Sequence, residues 1–284
     1  MTTPTGIAHT GVAQWPVDNA AAAVVRAGQV TTFGDIDRVY PLASVTKPLV
    51  AWAALVAIEE GALDLDTPAG PEGSTIRHLL AHASGLDFDG PDAIAAPGAR
   101  RLYSNTGFAV LADAVRAHTE IPFPDYLREA IFEPLGMASS ALVGPAGSGA
   151  ESTVRDLSRF AAELLAPTLI SADLFAEATH PVFPGLDGIL PGYGRQKPND
   201  WGLGVELRDH KSPHWTGSLN SPGTFGHFGQ SGTFLWVDPA IAAAAVVLTD
   251  RAFGDWAKPL WPELSDGIIR DITGVSHGDT PKPL

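Results

Sequence analysis

Ser44 to Gly61 reads SVTKPLVAWAALVAIEEG, a run that is apolar on nearly every face between a polar entry and a glycine stop. A helix that is hydrophobic all round belongs inside a core, so this stretch predicts a buried central helix ended by Gly61. Pro48 suits the first turn, where its missing N–H costs nothing. Its ring crowds the carbonyl four residues back, that of Ser44, which puts Ser44 at the helix entry. Residues three apart share a helix face, so Ser44 and Lys47 can touch. Free N–H groups and the positive end of the helix dipole favour an attacking alkoxide and a developing oxyanion at that entry. A lysine packed at the base of an apolar helix loses charge through desolvation and can then accept the serine's proton. Alone the spacing is weak: 16 Ser and 5 Lys in 284 residues give roughly 0.3 chance S-x-x-K matches, and a serine cap with a snorkelling lysine is the ordinary explanation.

Outward from this helix, Ala21 to Asp35 (AAAVVRAGQVTTFGD) holds two β-prone runs joined around Ala27, Gly28 and Gln29, the pattern of a hairpin opening a sheet. From Thr75 to about His180, helical patterns recur between breaks at Gly85, Pro97-Gly98, Pro122, Pro134-Leu135-Gly136 and Pro167. Pro181 to Asp200 is rich in Pro and Gly. Leu203–Leu207, Gly232–Asp238 and Ile241–Thr249 then read as short strands, and Trp256–Ile272 as a helix before a polar Gly/Pro tail. Strands at both ends with helices between them predict one α/β (α+β) domain over residues 1–284, in which distant segments complete one sheet. The sheet lobe spans about 1–60 and 181–284, and an inserted, mostly helical lobe about 61–180.

Composition narrows the chemistry. At 45% hydrophobic residues the chain can bury a sizeable core, and 18 basic against 32 acidic residues give 18 − 32 = −14, which repels nucleic acid and anionic membrane surfaces. Without cysteine there is no disulfide, thiol nucleophile or thiolate metal site, so covalent chemistry falls to Ser, Thr, Lys or carboxylates. The longest apolar runs, Pro48–Ile58 and Ala240–Leu248, fall short of the roughly 20 residues of a membrane span. The first residues, MTTPTGIAHTG, lack the basic start and apolar stretch of a signal peptide, which predicts a cytoplasmic location.

Two further elements carry polar groups suited to the same chemistry. Tyr103-Ser104-Asn105 sits in a loop before an apolar helical run. The phenol can relay a proton beside Lys47, whose charge is expected to lower its pKa, and Asn105 can donate to a substrate carbonyl. A core tyrosine and an Asn cap are the plain alternative. In Gly226-His227-Phe228-Gly229-Gln230-Ser231-Gly232-Thr233 the close-set glycines let another backbone approach, so this strand edge can line a cleft and offer the Gln230 N–H to an oxyanion; a simple turn between strands is the competing explanation.

In this order, S-x-x-K, Y-x-N and H-x-G resemble the serine β-lactamase and penicillin-binding-protein superfamily, in particular its class C-like branch of esterases and D-amino-acid peptidases. The resemblance extends to IRHLLAHASGL (Ile76–Leu86), YSNTGFAVLA (Tyr103–Ala112), IFEPLGM (Ile131–Met137), STVRDLSRF (Ser152–Phe160) and GHFGQSGTFLWVDP (Gly226–Pro239), covering roughly residues 20–250. It implies an antiparallel sheet flanked by helices with a helical lobe between. It also implies an acyl-enzyme mechanism in which Ser44 attacks a carbonyl and Lys47 and Tyr103 share the acid and base work. Asn105, His227 and Gly229 then line the substrate site, and the Ser44 and Gln230 N–H groups hold the oxyanion. No cofactor is implied, and the partner is a small ester or amide.

The chain departs from that family at His227-Phe228-Gly229, where many members carry Lys-Thr-Gly to grip a substrate carboxylate. A mostly neutral imidazole and a phenyl hold a carboxylate poorly, so esters or neutral amides are expected over penicillins. A family N-terminal helix is expected to be short or absent. The β-lactam or D-amino-acid amide substrate, and a non-catalytic binding role, remain as alternatives. His78 and His82, spaced i, i+4, lack a third ligand and predict no zinc site. His210 and His214, flanking Lys211 and Pro213 in a loop, read as surface histidines, and Trp201, Trp215 and Trp236 as residues bordering the site.

Overall fold

The computed structural model describes residues 11–274; the initial stretch read for a signal peptide, apart from Gly11, and the polar Gly/Pro tail beyond Gly274 lie outside them. After a short 3-10 turn, Val12–Gln14, the chain forms β1 (Ala20–Arg26) and β2 (Gln29–Phe33). The turn residues Ala27 and Gly28 have φ of 49° and 75°, the paired left-handed values that let a two-residue hairpin follow strand twist. β3 (Tyr40–Pro41) leads into α1 (Thr46–Glu59). Then come α2 (Ile76–Leu80), α3 (Asn105–Thr119) and α4 (Phe123–Leu127), which continues as a π-helical turn over Arg128–Phe132. β4 (Ala141–Leu142), β5 (Ala150–Ser152), α5 (Val154–Leu165) and α6 (Ala172–Ala178) follow. The chain closes with β6 (Gly188–Leu190), β7 (Gly194–Gln196), β8 (Glu206–Leu207), β9 (Phe225–Gly229), β10 (Thr233–Asp238), β11 (Ala243–Thr249) and α7 (Ala257–Thr273).

The main sheet has six strands in the order β2-β1-β11-β10-β9-β8, every neighbouring pair antiparallel. This is the sheet built from both chain ends that the sequence predicts. Its two chain ends meet in the pairing of β1 with β11, in register from Ala20↔Thr249 to Arg26↔Ala243.

Strand alternation sorts the side chains into two cores. Ala21, Ala23, Val25, Leu235, Val237, Ala244, Val246 and Leu248 face one side with α1, α3 and α5. Ala22, Phe234, Trp236, Ala245 and Val247 face the other, against Trp261, Leu264 and Ile268 of α7. The alanines of β1 and β11 leave room for α5 to lie directly on those strands. In α1 every residue from Thr46 to Ala57 is buried. No helix among the described residues is long and apolar enough to cross a membrane.

The structure adds strands that the sequence pattern does not reveal. β4 and β5 interrupt the helical stretch and join β3 in a small sheet, and β6–β7 form a hairpin within the Pro/Gly-rich segment. Two or three residues are too few to show alternation. The strand expected over Leu203–Leu207 shortens to Glu206–Leu207, preceded only by a bridge from Trp201 to Glu206. Trp236, expected to border the site, instead lies in the second core and donates its indole N–H to Ser265 Oγ at 3.1 Å.

Candidate active site

Three segments far apart in sequence meet at the start of α1. Ser44 lies in a 3-10 turn, Ala43–Val45, that opens into α1. Ala43 sits in the left-handed region at φ 46°, a conformation that costs a non-glycine residue about 1–2 kcal/mol and that turns the chain sharply just before the nucleophile position. β9 runs beside this turn. At Gly229 an added Cβ would stand 2.3 Å from the Leu42 carbonyl oxygen and 2.5 Å from Thr233 Oγ1, so only glycine lets strand and turn come this close. Thr233 and Ser231 fasten them, donating to the carbonyls of Leu42 (2.8 Å) and Pro41 (2.7 Å). Gly229→Ala is accordingly expected to displace the Ser44 turn and lower kcat/KM by about 10²-fold; unchanged kinetics would show that the close approach is dispensable.

Lys47, fully buried, places Nζ 2.6 Å from Asn105 Oδ1, 2.7 Å from the Gly147 carbonyl and 3.4 Å from Ser44 Oγ. Burial pulls its pKa down to about 7, with Asp89 acting the other way. Near neutrality much of the amine is therefore uncharged. Its two N–H groups are taken by Asn105 and Gly147, leaving the lone pair for Ser44. The Tyr103 hydroxyl donates to Ser44 Oγ at 2.7 Å and stands 3.4 Å from His227 Nε2. Lys47 Nζ also lies over the Tyr103 ring, 4.5 Å from its centroid. The sequence reading had Lys47 lowering the phenol's pKa. Burial instead pushes it up, against a hydrogen bond with Ser44, so the phenol stays protonated. His227 donates its Nδ1–H to the Phe228 carbonyl at 2.7 Å, leaving Nε2 as an acceptor; burial, with the Lys47 charge, pulls it down to about 3, so it is neutral.

Asn105 opens α3 behind Ser104, whose hydroxyl caps the helix by accepting from Gly107 N. The Asn105 amide nitrogen donates to Asp89 at 2.9 Å, where the sequence reading had it donating to substrate. Gln230 lines the cavity with its backbone fixed, the carbonyl accepting from Phe253 N at 2.9 Å and the side-chain amide donating to the Phe253 carbonyl at 3.2 Å.

Several supporting groups have no signal in the sequence. Gly147 acts through its carbonyl. His82, buried, accepts from Ser104 N at 3.1 Å and packs its ring 4.6 Å from that of Tyr103, setting the Tyr103–Asn105 loop. Arg101, also buried, donates to the carbonyls of Ala81, Val182, Phe183 and Asn199, tying the same loop to the segment before β6. His214, expected at the surface, is buried beside Lys211 because both bind Glu206: Lys211 Nζ at 2.6 Å and His214 Nε2 at 3.0 Å. Trp215 donates its indole N–H to the same carboxylate rather than bordering the cavity. These donors and charges hold Glu206 well below the usual carboxylate range despite complete burial.

A cavity of about 140 Å³ opens at Ser44, walled by Phe88, Tyr103, Leu190, Pro191, Trp201, Glu206, His227, Phe228 and Gln230. Ser44 and Tyr103 thus line one small, mostly apolar pocket, with Lys47 Nζ 3.4 Å from Ser44 Oγ.

The family model named Beta-lactamase matches residues 8–264. A beta-lactamase of solved structure from Mycobacterium bovis is 59% identical, with a TM-score of 0.92 over 94% of this chain and 99% of that one. Esterase EstB of Burkholderia gladioli is 25% identical over 82% of each protein. Penicillin-binding protein 4* of Bacillus subtilis is 29% identical over 34% of this chain and 29% of its own length. Against the first curated relatives it matches, the chain spans between about a third and a half of their length.

Proposed function

The chain belongs to the Beta-lactamase family, and on that premise we propose that it is a serine hydrolase that acts on small esters through an acyl-enzyme on Ser44. The observation that carries this reading is the position of Ser44 Oγ between Lys47 Nζ and the Tyr103 hydroxyl. Lys47 takes the hydroxyl proton as Ser44 Oγ attacks the carbonyl carbon, and the N–H groups of Ser44 and Gln230 face the resulting oxyanion. Tyr103 passes its proton to the leaving alcohol and is reprotonated by Lys47, so the serine's proton ends on the alcohol and both groups return to their starting states. Water then adds to the acyl-enzyme, and Ser44 recovers its proton as the acid departs.

Esters are favoured over penicillins by the character of the cavity wall. His227 is neutral and Phe228 apolar, so neither binds a substrate carboxylate. The single charged residue among the walls is an acid, Glu206. Esterase EstB supports the same choice at the level of a distant relative.

Short-chain p-nitrophenyl esters test the reading, together with intact-mass detection of the acyl adduct; a chromogenic cephalosporin and a D-amino-acid amide serve as competing substrates. Ester turnover with an adduct on Ser44 is expected, and the cephalosporin should survive micromolar enzyme for hours. No turnover of any ester, or preferential cleavage of the cephalosporin or the amide, would overturn it.

A pH profile follows from Lys47. Because the amine is the base only when neutral and titrates at about 7, kcat/KM is expected to rise about tenfold per unit up to pH 7 and then level off. A limb centred near pH 5 or pH 9 assigns the base elsewhere.

A further inference from the structure

The walls of the cavity at Ser44 combine two features that together define a ligand. One is a continuous belt of rings: centroids lie 5.9 Å apart from Phe88 to Tyr103, 5.8 Å from Tyr103 to Trp201, 5.4 Å from Trp201 to His227 and 6.3 Å from His227 to Phe228. Aromatic faces are electron-rich and attract cations within about 6 Å of a centroid. The other feature is Glu206, the single charged residue lining the cavity.

Glu206 stays ionised, because Lys211, His214 and Trp215 all donate to it. Lys211 and His214 approach from outside the cavity and line a separate surface depression with Arg208 and Lys258. The carboxylate therefore stands between them and the rings. At His227 its field opposes that of Lys47. The Lys47 field is the larger of the two while its amine is charged; with that amine uncharged, as it must be to act as the base, an ammonium group entering this space meets aromatic faces and an ionised carboxylate, and an anion meets no cation among the cavity walls.

Resting on the reading of Ser44 as the nucleophile, we propose that this cavity is a cation-selective subsite, which takes a protonated or quaternary amine carried on the ester substrate. Its small volume, about 140 Å³, suits a compact ammonium head rather than a long chain. A substrate bearing that group a few bonds from its carbonyl presents the carbonyl carbon to Ser44 Oγ while the rings surround the charge.

Binding and turnover test this separately. In calorimetric titrations of the Ser44→Ala protein at constant ionic strength, tetramethylammonium should bind at least tenfold more tightly than tert-butanol, its neutral counterpart, and acetate should bind more weakly still. Equal or inverted affinities overturn the inference whether or not the wild-type protein turns over esters. With the wild-type protein, kcat/KM for acetylcholine is compared with that for 3,3-dimethylbutyl acetate. The same comparison is made between betaine and 3,3-dimethylbutyryl esters of one alcohol. The cationic member of at least one pair should lead by tenfold or more, and a lead by the neutral member in both pairs overturns the inference. Phe88→Leu alters a ring that is 49% exposed and so leaves the fold intact. It should bring the cationic-to-neutral ratio toward one, as should Glu206→Gln combined with Lys211→Met, which leaves no buried charge unpaired. An unchanged ratio in both variants overturns the role of the belt and the carboxylate. Failure of all ester turnover with tight tetramethylammonium binding would instead count against the hydrolase reading.

Discussion

Ser44→Ala is expected to lower kcat/KM for short-chain p-nitrophenyl esters by roughly 10³-fold or more and to abolish the acyl adduct. The chain has no cysteine to substitute as nucleophile, and Lys47, buried beneath Ser44 and bonded to Asn105 and Gly147, cannot reach a substrate carbonyl in its place. What remains after the substitution is a pocket with backbone N–H groups that polarise the carbonyl, so residual hydrolysis by water sets the floor. The thermal midpoint should hardly move, because the lost atom accepts one hydrogen bond from Tyr103 and packs little. Retention of wild-type turnover by the variant would remove Ser44 from the chemistry altogether.

Lys47→Met is expected to cost about 10³-fold or more in kcat/KM, since no other base lies within hydrogen-bond reach of Ser44 Oγ among the described residues except the phenol, which burial keeps protonated. Its effect on stability has a distinct pH signature. Lys47 has a folded-state pKa of about 7 against 10.5 for the free group. Between those values the unfolded chain binds the extra proton, so the wild-type protein loses stability from this group as pH falls from 10.5 to 7 and no further below that. Methionine carries no such penalty. From pH 9 to pH 7 the variant should therefore gain about 2–3 kcal/mol relative to wild type in denaturant unfolding. Parallel pH dependences would mean that Lys47 keeps its charge inside the fold. The orphaned acceptors on Asn105 and Gly147 offset part of the gain at every pH and leave the slope unaffected.

That Ser44, Lys47 and Tyr103 come together was legible because they are side chains at spacings that a helix and a strand-edge loop translate directly into proximity. The hairpin was legible from Ala27 and Gly28, and the central helix from its all-round hydrophobicity. Groups that act through the backbone, or that matter through what surrounds them, were not. Gly147 contributes a carbonyl that any residue possesses. His214 looked like a surface residue because nothing local announces that Glu206 arrives beside it through the fold. The shift of Tyr103 depends on the number of apolar atoms around it, which only the folded chain specifies. Likewise, Asn105 has two ends, and which end meets Lys47 and which meets Asp89 is decided by the position of the loop around Phe88.

The pairing of β1 with β11 also has a bearing on how the protein is made. Ala20–Arg26 leave the ribosome long before their partner Ala243–Thr249, so through that interval β1 has a β2 neighbour on one side and an open edge on the other. An apolar strand waiting in that state is prone to pair with another chain. The turn bearing Ser44 is fastened to the end of β9 and the residues after it through Gly229, Ser231 and Thr233, so it reaches its final shape only after β9 has emerged. Any shortened product that stops before β9 should therefore lack the shaped turn at Ser44 and be an aggregation hazard.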